Sequence, residues 1–233
     1  MERTTNTDTL SKSWLFVVIM LLGLTLHLGA QEQESRAPWI LADHDMSTEE
    51  FSEDIAEIIS SGYLPVGIEV RGNTLSTLYS DRPDIEVERW SIQEFERLDN
   101  LNQDLSQPMS EGWVPMDISK TENGLVVLFI KTEEIQVEGW NIAIGPIETE
   151  SMGQTFAAWR ERGRTAFGIT ASENEEMWYL FLDLEGDETP DRVFFDAYPR
   201  DEVQTGISEQ MAQGGDPWGL MRLGDTYFVQ FLF

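Results

Sequence analysis

The chain has 233 residues, 41% hydrophobic and 11% aromatic, which is enough apolar material for one large or two small folded domains and argues against overall disorder. Cysteine is absent, which excludes disulfides, zinc–thiolate sites, iron–sulfur clusters, thiol catalysis and a lipid-modified N-terminal cysteine. The formal net charge of −28, from 43 acidic and 15 basic residues, disfavours nucleic-acid binding because such a surface repels phosphate backbones.

The first 30 residues have the layout of a secretory signal peptide. Lys12 precedes an apolar run from Trp14 to Leu28, which ends in Gly29-Ala30 before a polar stretch. A helix of that length spans roughly 22 Å, less than a bilayer core of ~30 Å. We therefore predict cleavage after Ala30 and a periplasmic or extracellular protein, with an uncleaved N-terminal membrane anchor as the alternative. Residues 31–37 are predicted to be a flexible leader.

The rest of the chain shows an internal repeat with a period of about 50 residues. The segment from Gly62 to Ile68 aligns with segments that begin at Gly112, Gly163 and Gly214. Each unit is predicted to contain a strand, a helix ended by the repeat glycine, and two strands joined by a tight turn. One unit is too small to bury its own sheet, so we predict an α+β fold in which four tandem β-α-β-β repeats pack into one pseudo-symmetric body. The predicted repeats span residues 38–81, 82–131, 132–186 and 187–233.

The first unit contains a helix start signal and a small polar cluster. Ser47-Thr-Glu-Glu50 predicts a capping box, followed by a helix whose apolar face carries Phe51, Ile55, Ile58 and Ile59. The cluster Asp43-His44-Asp45 precedes it and holds the single histidine outside the signal segment. We interpret this cluster as a solvated loop that caps the helix. The alternative is a metal contact or an acid–base pair.

The second unit is predicted to open with a strand over Ile85–Ile92 and to leave its helix at Glu111-Gly112-Trp113. The order strand, helix, Glu-Gly-Trp, strand, turn, strand resembles a family of small bacterial domains of unknown function that carry an E-G-W-E-L-like segment at the helix exit. The resemblance covers about one unit at a time. The third and fourth units depart from it, with Arg164 and Gly215 in place of the tryptophan. It implies a fold and no reaction.

The aromatic residues that recur in the repeat are predicted to serve packing. Trp39, Trp90 and Trp140 recur at the repeat spacing, and Tyr63 and Trp113 follow two of the repeat glycines. Large aromatic side chains dominate apolar burial, so we assign them to the core and to contacts between units. An aromatic platform for sugars or peptides is the alternative.

The connector between the third and fourth units is the candidate ion site. Oxygen-bearing side chains alternate there at Asp183, Glu185, Asp187, Thr189 and Asp191, as in the Asp-rich loops of extracellular calcium-binding repeats. Glu188 stands where such loops have glycine, and Phe194 where a bidentate glutamate would close the site. These two departures favour an acidic turn between units without an ion, with a calcium site as the alternative and no other cofactor indicated.

Catalytic signatures are absent from the sequence: there is no nucleophile elbow, phosphate-binding loop, His-Glu-x-x-His motif or dinucleotide fingerprint. The leading hypothesis is an exported, non-enzymatic repeat protein that binds or scaffolds a protein or glycan at the periplasm or cell surface. The alternative is a secreted carbohydrate-active enzyme that uses two carboxylates, which 43 acidic residues could supply.

Overall fold

The computed structural model of the protein describes residues 36–96, 98–147, 149–172, 176–185, 190 and 192–233. Residues 38–233 form one compact unit. The predicted signal peptide and most of the predicted leader lie outside the described residues and stay predictions. Among the described residues, no helix is long and apolar enough to cross a membrane.

Four α-helices and twelve strands occur in the described part of the chain, in the order strand, helix, strand, strand, four times over. The helices are α1 (Phe51–Ser60), α2 (Leu101–Ser110), α3 (Thr149–Arg160) and α4 (Val203–Ala212). The first two groups of strands are β1 (Trp39–Asp45), β2 (Tyr63–Arg71), β3 (Thr74–Asp81), β4 (Arg89–Phe95), β5 (Val114–Lys120) and β6 (Leu125–Lys131). The last two are β7 (Val137–Pro146), β8 (Thr165–Ala171), β9 (Glu176–Leu184), β10 (Val193–Pro199), β11 (Asp216–Leu223) and β12 (Thr226–Leu232).

The strands form four three-stranded antiparallel sheets, which confirms the α+β class. The strand orders are β1-β3-β2, β4-β6-β5, β7-β9-β8 and β10-β12-β11, here called sheets 1 to 4. In each sheet the second strand in chain order is an edge strand. These four edge strands contact one another in cyclic order, β2 with β5, β5 with β8, β8 with β11 and β11 with β2. The sheets therefore meet along their second strands.

The position of a strand in its sheet explains why some strands are continuous runs of apolar residues. The middle strand of a sheet is covered on both faces, and β6, with the sequence Leu-Val-Val-Leu-Phe-Ile-Lys, is buried from Leu125 to Ile130. The first strand of each sheet lies at the outer edge and is only partly buried, as β1 and β4 show. Burial thus falls from the centre of the molecule to its outer strands.

The four repeat glycines end the helices as predicted. Gly62, Gly112, Gly163 and Gly214 have φ angles of 90°, 83°, 78° and 92°, in the left-handed region that glycine adopts at the lowest steric cost. Each N–H donates to the carbonyl three residues back, for example Gly112 to Met109 at 3.0 Å. Two strands follow each glycine.

Two local predictions in the first half of the chain are wrong. Helix α1 starts at Phe51 without a side-chain cap, and Ser47 instead donates from its N–H and its hydroxyl to the carboxylate of Asp45. Because β1 continues to Asp45, residues 46–50 form the turn between this strand and α1, and the helix starts only at Phe51. The predicted apolar face is confirmed, since Ile55 is buried. The strand predicted from residue 85 begins at Arg89, and Ile85 is buried in the preceding turn.

Candidate functional site

A polar cavity of about 350 Å³ lies between sheet 1 and sheet 4. Sheet 4 contributes Arg222 from β11, and Arg200 follows β10. Sheet 1 lines the rest with Asp43, His44, Asp45, Glu69, Arg71, Thr74 and Ser76. The lining contains charged and hydroxyl-bearing side chains and no Phe, Tyr or Trp.

The register of sheet 1 explains why six of these residues lie together. Asp43 and Glu69 both pair with Ser76, and Asp45 and Arg71 both pair with Thr74. Residues two apart along a strand point to the same face, so the two rows are neighbours on one face of the sheet. The end of sheet 1 therefore presents a polar face where the centre of the sheet is apolar.

Arginine side chains connect the two sides of the cavity. Arg71 donates from Nε to the Glu69 carboxylate at 3.1 Å and from Nη2 to the Arg222 carbonyl at 2.5 Å. Arg200 donates from Nη2 to Asp43 at 3.1 Å. These contacts join β2 to β11 and β1 to the segment after β10, so sheets 1 and 4 are linked by polar contacts.

Glu69 is the buried acid of the cavity, with 7% of its surface exposed. Burial raises the pKa of Glu69 to about 7, and the Arg71 guanidinium and a hydrogen bond from the backbone of Arg222 oppose the rise. Near neutral pH the side chain therefore exists in both protonation states. In its neutral form it can donate a hydrogen bond as well as accept one.

Asp117 lies at the meeting point of the second strands and is fully buried. Its Oδ2 accepts hydrogen bonds from the N–H of Ile68 at 2.7 Å and of Leu220 at 3.1 Å. Its Oδ1 has no partner among the described residues. Burial raises the pKa of Asp117 well above its ordinary value, although the backbone donors oppose this. One side chain from sheet 2 thus binds the backbones of sheets 1 and 4.

The place that Asp117 occupies in β5 is filled by glycine in the other second strands: Gly67, Gly168 and Gly219. Each of these strands has an irregular register at this point. A Cβ on Gly67 would lie 2.8 Å from the Leu220 nitrogen, and one on Gly168 would lie 2.5 Å from the Asp117 carboxylate. The strands approach too closely there for further side chains.

Two residues after Asp117 and Gly168, side-chain oxygens also accept hydrogen bonds from the backbone of a neighbouring second strand. Ser119 accepts the N–H of Val70 at 2.8 Å, and Thr170 accepts the N–H of Lys120 at 2.8 Å. These bonds join β5 to β2 and β8 to β5. Because the second strands are sheet edges, their outward N–H groups need such partners.

The structure corrects the interpretation of the Asp43-His44-Asp45 cluster. All three residues lie in β1, and His44 is buried rather than in a solvated loop. Its Nε2 lies 3.1 Å from the Tyr79 hydroxyl, and its ring contacts Phe51 of α1. Burial lowers the pKa of His44, against the charges of Asp54 and Asp43, which favours the neutral ring. Strand alternation places Asp43 and Asp45 on the opposite face, where they line the cavity.

The calcium prediction remains a prediction. Asp183 lies partly buried near the end of β9, and Glu185 is exposed just after it. Asp187, Thr189 and Asp191 lie outside the described residues. Among the residues that are described, no group of three or more His, Cys, Asp or Glu side chains could hold a metal ion.

The packing role of the tryptophans is confirmed for those that recur in the repeat. Trp39, Trp90, Trp140 and Trp113 are partly buried against the main core. Two cations also lie over the Trp113 ring: the Arg89 guanidinium carbon is 5.2 Å from the ring centroid and the Lys131 ammonium nitrogen is 5.9 Å from it.

Glu69 and Asp117 were missed from the sequence, although the repeat alignment carries a signal for Asp117. It stands in the column that is otherwise glycine, and a lone carboxylate in a glycine column indicates a special contact. Glu69 offers no such signal, because its column contains Glu69, Ser119, Thr170 and Met221 and reads as variable.

No protein-family model matches the chain, and no curated protein matches it. The interpretation of the cavity therefore depends on its geometry and charge.

Proposed function

We propose that the protein is an exported, non-enzymatic repeat protein that binds its ligand in the cavity between sheets 1 and 4. The observation that carries this proposal is the cavity itself, whose lining brings together acids, hydroxyls and three arginines from two sheets. Small-molecule sites are concave and contain a few converging polar groups in a mostly apolar lining, whereas this lining is polar throughout, which favours a polar ligand. The volume is at the low end of the range of about 300–1,000 Å³ for such sites.

The repeat is part of this proposal. The same element order, the same strand order in each sheet and a glycine at each helix exit support four copies of one β-α-β-β unit. In this view the cavity forms where the last copy meets the first. The corresponding junctions between the other copies have different side chains at the same strand positions, which explains why one junction would carry the function.

Export rests on the layout of residues 14–30 alone. The test is to express the full chain in a bacterium and to sequence the N-terminus of the protein in the periplasmic fraction. A start at Gln31 supports cleavage and export. A membrane-bound protein with an intact N-terminus would show an anchor instead.

A carboxylate-dependent carbohydrate-active enzyme is the second candidate, and Glu69 is the observation that favours it. An acid with a pKa near 7 suits general acid catalysis, and Asp43 lines the same cavity as a second carboxylate. Incubation of the purified protein with a mixture of polysaccharides separates the two candidates. Turnover that is abolished by Glu69→Gln would establish the enzyme and refute the non-enzymatic proposal.

A further inference from the structure

We infer that the cavity between sheets 1 and 4 binds a hydroxylated carboxylate, the chemistry of a uronic acid, with Arg71 and Arg200 directed to its carboxylate. Arg222 already donates from Nε to the Gly224 carbonyl and from Nη2 to Asp225, so it contributes charge to the lining. This inference depends on the binding function proposed above and adds the class of ligand. Three observations support the inference: the charged residues of the lining, the free donors of its arginines and the acids beside those arginines.

The first step is the distribution of charge. The whole chain has a net charge of −28 and only twelve arginines, yet three of them line this one cavity. They come from β2, from β11 and from the segment after β10, so the fold and not the local sequence brings them together. Asp43, Asp45 and Glu69 balance the three arginines when Glu69 is ionised, and protonation of Glu69 leaves the lining positive. The lining therefore repels an anion less than the rest of this acidic protein does.

The second step is donor geometry. A guanidinium presents a planar fork of N–H donors that matches the two oxygens of a carboxylate. Among the described contacts, Arg200 uses one nitrogen, on Asp43, and its side chain is 62% exposed. Arg71 uses Nε and Nη2, which leaves Nη1 outside the contacts that the described residues make with it. Both guanidiniums therefore keep donors for a ligand.

The third step is the set of acids beside the arginines. Asp43, Asp45 and Glu69 repel a doubly charged phosphate or sulfate more strongly than a singly charged carboxylate, and they can accept hydrogen bonds from hydroxyl groups of the ligand. Thr74 adds a hydroxyl partner, whereas the buried Ser76 hydroxyl already donates to the Asp43 carboxylate. A ligand that carries a single carboxylate on a polyhydroxylated ring satisfies both halves of the lining. A neutral sugar leaves the arginines unused. The lining has no Phe, Tyr or Trp to stack on it, and the His44 ring is held against Tyr79 and Phe51.

The fourth step is the charge that Glu69 adds. Three charged groups act directly on Glu69: Arg71 on its own strand, Arg222 on β11 and the buried Asp117 on β5. Asp43 lies in the same cross-strand row as Glu69 and is paired with Arg200. A proton on Glu69 removes one negative charge from the cavity and makes it more favourable for an anion. Because burial raises the pKa of Glu69 to about 7, an anionic ligand should bind more tightly at pH 6 than at pH 8.

Isothermal titration calorimetry on the protein purified from the periplasmic fraction tests the inference. The probes are D-glucuronate, D-galacturonate, a glucuronate-containing oligosaccharide, D-glucose and inorganic phosphate. We expect a uronate to bind at least tenfold more tightly than glucose or phosphate. Comparison of the monosaccharide with the oligosaccharide shows whether the ligand is a free sugar acid or a residue of an acidic polysaccharide.

Matched variants locate the binding. Arg200→Gln should weaken uronate binding about tenfold, whereas Arg160→Gln, which makes the same charge change at the exposed end of α3, should leave it unchanged. Glu69→Gln should abolish the difference between pH 6 and pH 8. Equal weakening by Arg200→Gln and Arg160→Gln would overturn the inference, because it would show general charge screening.

The outcomes separate this inference from the proposed function. Tighter binding of phosphate or glucose than of either uronate, lost in Arg200→Gln, would overturn the ligand class and leave a binding cavity. A failure of every probe to bind would overturn the inference as well. The proposed non-enzymatic function is refuted by a different result, namely turnover of polysaccharide.

Discussion

The junction of sheets 4 and 1 and the junction of sheets 3 and 4 use the same strand positions with different chemistry. Between β8 and β11, the ring of Phe167 meets that of Trp218 edge to face at 5.4 Å, and Met221 is buried. Between β11 and β2, Glu69 and Arg71 meet the backbone of Arg222 beside the cavity.

Met221 and Glu69 make the contrast plain, because each lies two residues after the glycine at the centre of its strand. Glu69 accepts a backbone hydrogen bond from the neighbouring sheet, and a methionine thioether is only a weak acceptor. The junction of sheets 3 and 4, here called the apolar junction, contains one polar contact, from the buried Gln230 amide to the Ala166 carbonyl, and otherwise contributes stability through apolar burial. The polar junction is held by hydrogen bonds and lies beside the cavity that we propose as a binding site. We therefore expect stability to depend mainly on one junction and the proposed binding on the other.

The largest effect should come from the apolar junction. Trp218 is buried, and Trp218→Ala removes its contact with Phe167, so we expect the free energy of unfolding to fall by about 3–5 kcal/mol. Urea denaturation measures it. Trp39→Ala on the outer strand, where the ring is only partly buried, is the control and should cost less. A smaller loss for Trp218→Ala than for Trp39→Ala would contradict the assignment of stability to this junction.

The next effect concerns Asp117 at the centre. Asp117→Ala leaves the buried N–H groups of Ile68 and Leu220 without their acceptor, and we expect a loss of about 2–4 kcal/mol. Asp117→Asn keeps an acceptor without the charge and is the matched control. Since burial raises the pKa of Asp117, the wild type loses stability as pH rises through that value, and Asp117→Asn should not. Equal losses for the two variants at neutral pH would show that the hydrogen bonds contribute nothing.

The sequence predicts the helix ends and the buried strands of this fold, because both depend on residues that are close together in the chain. The recurring glycines locate the helix ends, and buried strands such as β6 are continuous apolar runs. The capping box failed because Ser47 has a nearer partner in Asp45, and a sequence motif cannot show where the preceding strand ends.

The cavity could not be predicted in the same way. Its residues come from β1, β2, β3 and β11 and from the segment after β10, and Asp43 and Arg200 are 157 positions apart in the chain. Only the cyclic contact of the second strands brings them together. His44 shows the same limit, since its burial depends on pairing with β3 and on α1 above it. Composition could not reveal either.

A smaller effect should follow from Glu69→Gln in the polar junction. The pKa of Glu69 is about 7 in the folded protein and about 4.5 ordinarily, so the folded state binds this proton more tightly. The stability it adds is complete below about pH 4.5 and is lost as pH rises through 7. Glu69→Gln should remove this dependence, on the order of 1–3 kcal/mol between pH 4.5 and pH 8. Thermal melts across that range measure it, and an unchanged slope in the variant would show that Glu69 does not titrate there.

The smallest effect on stability should come from Arg200→Gln, the change expected to matter most for binding. The Arg200–Asp43 pair is solvent-exposed on both sides, with 62% and 42% of the side chains accessible, and exposed pairs contribute roughly 0–1 kcal/mol. We therefore expect urea denaturation of Arg200→Gln to differ from wild type by less than about 0.5 kcal/mol and to match the Arg160→Gln control. A loss above about 1 kcal/mol for Arg200→Gln, without a similar loss for Arg160→Gln, would mean that Arg200 holds the two sheets together. In that case, weaker uronate binding by Arg200→Gln would reflect a distorted junction. A small loss of stability together with weaker binding would show that Arg200 is held at the cavity for a ligand, because the fold itself does not need it there.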